Sequence, residues 1–362
     1  MDVNIFADLL GMLSPYLTKK SPKALSPEQR LAITLRYLAT GDQMLSIALA
    51  YRVGESTAHA VVKETCAAIV TALSPIYLRT PNEEEWKEIC AGYLQHWNFP
   101  NCVGAIDGKH VQIQAPPNSG SLYYNYKKTF SIVLLAACDY NYKFTLIDVG
   151  SYGSESDSGI FNESNLSAAF RDNTLHLPKG TARLPGSELQ TPCFFVADDA
   201  FALTEHMMKP YSKRHLSDKE LNFNYRLSRA RRTIENAFGI LAARWRIFRR
   251  PIAINPCYAD NIVVSALCLH NFLKVVNDEQ PASKRMYCPP NFVDCEDTNG
   301  NVTPGAWRSV ERTQMQAIRR RPPCRAAQKA FQQRDALAQY FLTPEGEVPW
   351  QYEYIQRGRY AA

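Results

Sequence analysis

Asp107, Asp198 and Glu235 are the side chains best placed to do chemistry. Asp107 lies in Gly104-Ala105-Ile106-Asp107-Gly108-Lys109-His110. Asp198 directly follows the apolar run Cys193-Phe194-Phe195-Val196-Ala197. Glu235 lies in Arg231-Arg232-Thr233-Ile234-Glu235-Asn236-Ala237-Phe238-Gly239. Hydrolysis of a phosphodiester needs a water nucleophile and a stabilised leaving oxygen held in line, and two divalent ions about 3.5–4 Å apart supply both. Hard cations such as Mg²⁺ and Mn²⁺ take carboxylate oxygens rather than Cys or His. Two aspartates at the ends of neighbouring strands, with a third acid from a packed helix, would hold such ions rigidly. Each acid also has a plainer reading. Asp107-Gly108 is a hairpin-turn signal, Asp198-Asp199 suits a solvated strand end or helix cap, and Glu235 can pair with Arg231 or Arg232 on a helix surface. Against that last reading, Ile234, Phe238, Leu241 and Trp245 form an apolar stripe at helical spacing, and Glu235 borders it.

The elements that must position these acids change in character near residue 96. Residues 1–95 read as helical, with a start signal at Ser26-Pro27-Glu28. Residues 96–276 carry three β-prone runs, Val103–Ile113, Ser131–Cys138 and Phe144–Val149, with a hairpin turn at Asp139–Lys143. A helical segment near Ile160–Phe170, a Pro/Gly-rich loop over Leu177–Pro192 and a strand at Cys193–Ala197 follow. Long helices run from about Glu220 to Phe248 and Asp260 to Val275. That order predicts an α/β fold with helices on a mixed sheet, preceded by an all-helical region. Residues 277–362 read as a loop-rich linker and a basic tail. Within the strand Cys193–Ala197, adjacent residues face opposite ways. Asp198 and Asp199 are therefore not expected to reach one metal equally well, Asp198 is the first residue beyond the strand, and Asp157, which precedes a helix, suits a capping role.

Two features suggest contact with nucleic acid. Residues 41–66 read as a helix-turn-helix, in which Val53-Gly54-Glu55 forms the turn and Gly54 ends the first helix. The second helix would present Ser56, Thr57, His59 and Lys63 to the major groove; a plain helical hairpin is the alternative. Between Arg226 and Arg250 stand eight arginines against the single acid Glu235, so Arg229, Arg232, Arg244 and Arg246 are expected phosphate contacts. Arg319-Arg320-Arg321, with Arg312 and Arg325, form a second basic cluster. The chain's formal net charge of +6 leans towards an acidic partner. Its ten cysteines include no Cys-x-x-Cys pair and read as reduced residues of a cytosolic or nuclear protein. Cys257, Cys268 and His270 fit no common zinc spacing and read as core residues. Asp2 and Asp8 stand where a secretory leader needs basic residues. No apolar run is expected to span a bilayer.

The motifs together resemble those of PIF/Harbinger-class DDE transposases and their domesticated nuclease-like relatives. Ile106-Asp107-Gly108-Lys109-His110-Val111 resembles the first acidic motif. Gly153-Ser154-Glu155-Ser156-Asp157-Ser158 resembles the segment before the first core helix. Ala197-Asp198-Asp199-Ala200-Phe201 resembles the second motif, and Arg232 to Leu241 the third. Leu269-His270-Asn271-Phe272 resembles the closing helix. Asp199 and Ala202 depart from the usual pattern around the second acid. The resemblance spans about Leu25 to Leu273. It implies an RNase H-like fold with catalytic Asp107, Asp198 and Glu235 holding Mg²⁺ or Mn²⁺. It further implies a transposase that cuts element ends in double-stranded DNA and joins the 3′ hydroxyl to a TA-rich target. A Myb/SANT-like accessory protein, a homo-oligomer and a nuclear location are the corresponding expectations. The alternative is a domesticated DNA- or chromatin-binding factor that no longer transposes. A hydrolase of small phosphate substrates is the reading that the arginine-rich helix and the helix-turn-helix weigh against.

Overall fold

The computed structural model describes residues 1–154, 164–297, 300–309, 313–318 and 327–353. Five helices come first: α1 (Val3–Leu17), α2 (Pro27–Thr40), α3 (Met44–Tyr51), α4 (Glu55–Tyr77) and α5 (Glu83–Trp97). Local chemistry sets their ends. Ser26 and Gln29 form a reciprocal capping box on α2, and Asn82 and Glu85 do the same on α5. Gly41 closes α2 at φ 66°, where a Cβ would strike the Arg246 carbonyl, so glycine meets both a steric and a conformational demand.

The sheet is built from β1 (Cys102–Gln112), β2 (Ser131–Cys138), β3 (Phe144–Tyr152), and later β6 (Phe194–Val196) and β7 (Met207–Met208). The short strands β4 (Ala182–Arg183) and β5 (Gln190–Thr191) form a separate hairpin. The order is β3-β2-β1-β6-β7: the first three are antiparallel, and β1, β6 and β7 run parallel. Every residue of β2 is buried, as a strand covered on both faces must be. The connection from β3 to β6 includes α6 (Asn165–Arg171); the expected start of this helix near Ile160, and Asp157 before it, lie outside the described residues.

The long helix expected from about Glu220 to Phe248 is α7 (Asp218–Arg244), capped by Ser217 and Glu220. It ends before Trp245 and is followed by a short 3₁₀ turn at Arg246–Arg249. Then come α8 (Pro256–Asp278), the small hairpin β8 (Cys295–Glu296) and β9 (Val302–Thr303), β10 (Gln316–Ala317) and α9 (Gln328–Tyr340). α5 and α7 pack on β1, α8 packs on β3, and α4 runs along α8.

One apolar core extends from Leu9 through the sheet to Phe341. The helical region is thus joined to the sheet region rather than tethered to it: Ser265 Oγ on α8 donates to the Cys66 carbonyl on α4, and Asn271 Nδ2 donates to the Tyr77 carbonyl. The stretch read as linker and tail contributes to the same core. Phe341 packs on Phe99 at 5.1 Å between ring centroids, and α9 lies against α7. α4 and α8, 23 residues each, are long and apolar enough to cross a bilayer by length and composition, contrary to the expectation from sequence. α8 is mostly buried in this core, with α4 packed along it. Nine cysteines of the described residues are free thiols. Cys268 is buried as expected, whereas Cys257, in the first turn of α8, is exposed.

Candidate active site

Strand register brings two of the acids together. Ala105 on β1 pairs with Val196 on the parallel β6. Two residues further along each chain come Asp107, still within β1, and Asp198, two residues past the end of β6. The same edge of β1 is taken up again by β10, with Lys109 opposite Ala317. Asp107 therefore stands in the interval between two strand partners, and it is buried. Its Oδ1 accepts the Gly108 N–H at 2.9 Å, and its Oδ2 accepts the Lys109 ammonium at 2.6 Å. Asp198 is half-buried, and its Oδ1 accepts the Ala200 N–H at 2.9 Å in a tight turn. Asp199 is engaged elsewhere. It forms an ion pair at 3.1 Å with the buried Lys209, which also donates to the Asp199 carbonyl.

Glu235 comes from α7, which packs on β1. Its neighbours Thr233, Ile234 and Asn236 are buried, while its own side chain is 43% exposed, with Arg308 3.9 Å away. It faces a cavity of about 400 Å³ lined by Lys109, Glu235, Phe238, Trp307, Arg308 and Met315, among others. Lys109 is the link: one residue both neutralises Asp107 and lines the cavity that Glu235 faces. Gly239 lets the Trp307 ring lie directly on α7, since a Cβ there would enter that ring. Trp307 Nε1 donates to Asn236 Oδ1 at 2.9 Å, and Arg308 grips Asp294 through two nitrogens. Burial alone would raise the Asp294 carboxyl, but the Arg308 guanidinium and the Gly305 N–H hold it below the usual carboxylate value. Around the site, burial and the neighbouring Lys109 ammonium push the Lys127 ammonium down. Burial, with Lys127 nearby, also pushes the His110 imidazole down to about 4. His110 is thus neutral at pH 7 and tied to Ser131 Oγ, an anchor for the loop before β2.

The oxygen-only donor set of Asp107, Asp198 and Glu235 suits a hard divalent ion. Among the described residues no group of three His, Cys, Asp or Glu side chains stands assembled around one metal position. The Lys109 ammonium holds one of the two Asp107 oxygens, Oδ2. Lys109, Trp307 and Arg308 are site residues the motif reading passed over. Lys109 was legible in principle, being two residues from Asp107 on a strand. Trp307 and Arg308 lie more than 70 residues beyond Glu235, and nothing local marks them.

The expected DNA contacts divide sharply. α3 and α4 are joined by the three residues Arg52, Val53 and Gly54. Arg52, in the left-handed region at φ 52°, ends α3, while Gly54, at φ −67°, caps the start of α4. The glycine opens a helix here rather than closing one. Ser56, Thr57, His59 and Lys63 are exposed, with the Lys63 ammonium 3.6 Å from the centre of the Tyr258 ring. The arginines of α7 do not form a free basic face. Arg226 is buried against the Gly346 and Asn98 carbonyls and Gln351. Arg229 and Arg232 both pair with the buried Glu296, at 2.8 and 2.9 Å. Arg244 donates to the Tyr287 and Met286 carbonyls and stacks on Phe292. Arg226, Arg229, Arg232 and Arg244 are thus compensated inside the fold; of the expected four, Arg246 is exposed. Arg312, Arg319, Arg320, Arg321 and Arg325 lie outside the described residues.

Residues 106–271 match a protein-family model described as a DDE superfamily endonuclease. Antagonist of like heterochromatin protein 1 from Arabidopsis thaliana is 26% identical over 74% of this chain and 67% of its own length. The ALP1-like protein of the same plant is 25% identical over 72% of this chain and 65% of its own length. HARBI1 of Homo sapiens, whose name designates it a candidate nuclease, is 22% identical over 73% of this chain and 72% of its own. No solved structure matches the chain.

Proposed function

We propose that the DDE superfamily endonuclease domain formed by residues 106–271 is an RNase H-like, metal-dependent nuclease acting on double-stranded DNA. The observation that carries this reading is the pairing of parallel β1 and β6, which leaves Asp107 within β1 and Asp198 two residues past the end of β6, with Glu235 on the helix packed against β1. Asp107, Asp198 and Glu235 would hold Mg²⁺ or Mn²⁺, which activates a water and stabilises the leaving oxygen of a phosphodiester. The chain's own cations address the polyanion. Lys109 and Arg308 line the cavity beside Glu235, and Lys127 adds positive charge nearby. The α3–turn–α4 unit, with Ser56, Thr57 and His59 exposed, suits sequence-dependent contact in the major groove. Cutting of element ends, joining to a TA-rich target, a Myb/SANT-like accessory protein, assembly into a homo-oligomer and a nuclear location belong to this same reading. They rest on the motif resemblance.

A second reading is favoured by the name of one relative, which designates an antagonist of a chromatin protein: a chromatin-associated factor retaining the fold without transposition. The two are separated by cleavage of labelled duplex DNA in Mg²⁺ or Mn²⁺. The nuclease reading requires cleavage that EDTA abolishes and that Glu235→Gln removes while leaving DNA binding intact. The Glu235 side chain is half-exposed and Arg308 stands 3.9 Å away, so this substitution should cost less than about 1 kcal/mol of stability. Cleavage that persists in excess EDTA, or in folded Glu235→Gln, sinks it.

A further inference from the structure

We propose that Lys109 couples metal binding to DNA binding. Asp107 holds its ammonium until a DNA phosphate in the adjoining cavity takes it over, and the carboxylate is then free for a metal ion. The inference rests on the metal-dependent reading above. Lys109 Nζ lies 2.6 Å from Asp107 Oδ2, and the two side chains are only 18% and 7% exposed. In so dry a setting a charge left unpaired is costly, so neither group gives up the other without a replacement. A divalent ion and an ammonium cannot both own one buried carboxylate oxygen. Metal binding to the DNA-free protein through Oδ2 therefore displaces Lys109 and leaves its charge without a partner, and binding through Oδ1, which accepts the Gly108 N–H, sets the ion against that ammonium across one carboxylate.

The surroundings indicate which anion relieves that cost. Lys109 passes over the Phe238 ring at 5.4 Å and lines the cavity shared by Glu235 and Arg308. Arg308 is already committed to the buried Asp294, and Lys127 stands near enough to feel the Lys109 charge. A phosphate entering this positive, partly enclosed space meets Lys109 as the cation whose existing partner is itself a metal ligand. DNA and metal then each free the group the other needs. By thermodynamic reciprocity, DNA raises metal affinity by the factor by which metal raises DNA affinity. Lys109 is a positioning residue in this scheme, acting on the metal through Asp107.

The test is a calorimetric titration with Ca²⁺, an oxygen-seeking ion, in the presence and absence of a short random-sequence duplex. Wild type, Lys109→Gln and Lys109→Arg are compared as full chains. DNA should raise the ion affinity of wild type. Lys109→Gln should bind the ion about tenfold more tightly without DNA, within the range usual for coupled sites, and should lose most of the gain that DNA brings. Lys109→Arg, which keeps the charge, should behave as wild type. Unchanged or weaker DNA-free ion affinity in folded Lys109→Gln overturns the proposal. Should Lys109→Gln fail to fold, a wild type in which DNA brings no gain overturns it equally. A wild type that binds no ion with or without DNA refutes the metal-dependent reading itself, a different failure from the loss of coupling alone.

Discussion

Asp198 and Asp199 are neighbours with opposite commitments. Asp198 gives one oxygen to the Ala200 N–H, whereas Asp199 neutralises Lys209, which is only 4% exposed. Asp198→Asn should therefore abolish metal-dependent cleavage and leave the melting temperature nearly unchanged. Asp199→Asn should keep measurable cleavage but cost about 2 kcal/mol in urea unfolding, because Lys209 stays buried without its counter-charge. The idea fails if folded Asp198→Asn cuts normally. At this scale the sequence was informative. Asp107 sits within the apolar run Val103–Ile113 and Asp198 directly follows Cys193–Ala197; strand alternation sets the two aspartates apart, and the family motif singles out Asp198. The Lys109–Asp107 pair was within reach of the same alternation, but the motif drew attention to the acid and not to the lysine beside it.

α7 illustrates the element scale. Eight arginines stand between Arg226 and Arg250, but burial and compensation decide what each can do. Arg229→Ala should lower stability by about 3 kcal/mol in chemical unfolding, since it breaks a buried pair with Glu296, and should leave the DNA affinity of the folded protein largely unchanged. Arg246→Ala, at an exposed position, should do the reverse: stability is kept, and the log–log salt slope of DNA binding flattens by about 0.9 if one phosphate contact is lost. Equal effects of the two substitutions on binding would refute this division.

The acid in the cluster makes a pH prediction. Burial would raise the Glu296 carboxyl, yet the Tyr225 hydroxyl with Arg229 and Arg232 holds it below the usual carboxylate value. A lowered folded value means that the pair stabilises fully above the unfolded carboxyl value of about 4.3 and is lost as pH falls through the folded one. The stability gap between wild type and Glu296→Gln should thus be wide at neutral pH and narrow below about pH 4, as urea melts at several pH values would show. A gap independent of pH would disprove the assignment.

At the scale of the whole molecule, residues 1–95 and those after 276 share one core with the sheet. Arg226 makes this concrete. It is buried, and its partners are Asn98 at the end of α5 and Gly346 and Gln351 near the other end of the chain. Truncation after Asp278 would leave that guanidinium buried without Gly346 or Gln351, remove Glu296 from Arg229 and Arg232, and strip Phe341 from Phe99. The shortened chain should lose cooperative thermal unfolding and become sensitive to limited proteolysis within the sheet region. A sharp melt near that of the full chain would show that the C-terminal part is dispensable for folding.

Sequence by itself determined the strands Ser131–Cys138 and Phe144 onward, the capped start of α2, and the mixed helix-and-sheet class, and it singled out the three acids that the cleavage experiments test. These depend on alternation, helical periodicity and capping, whose range is a few residues. The tertiary structure alone decided that Arg229 and Arg232 answer to Glu296 more than 60 residues away, and that Arg308 and Trp307 line the cavity beside Glu235. It likewise decided that the C-terminal stretch belongs to the core. Charge compensation and burial depend on which distant segments meet, and local spacing carries no record of those meetings.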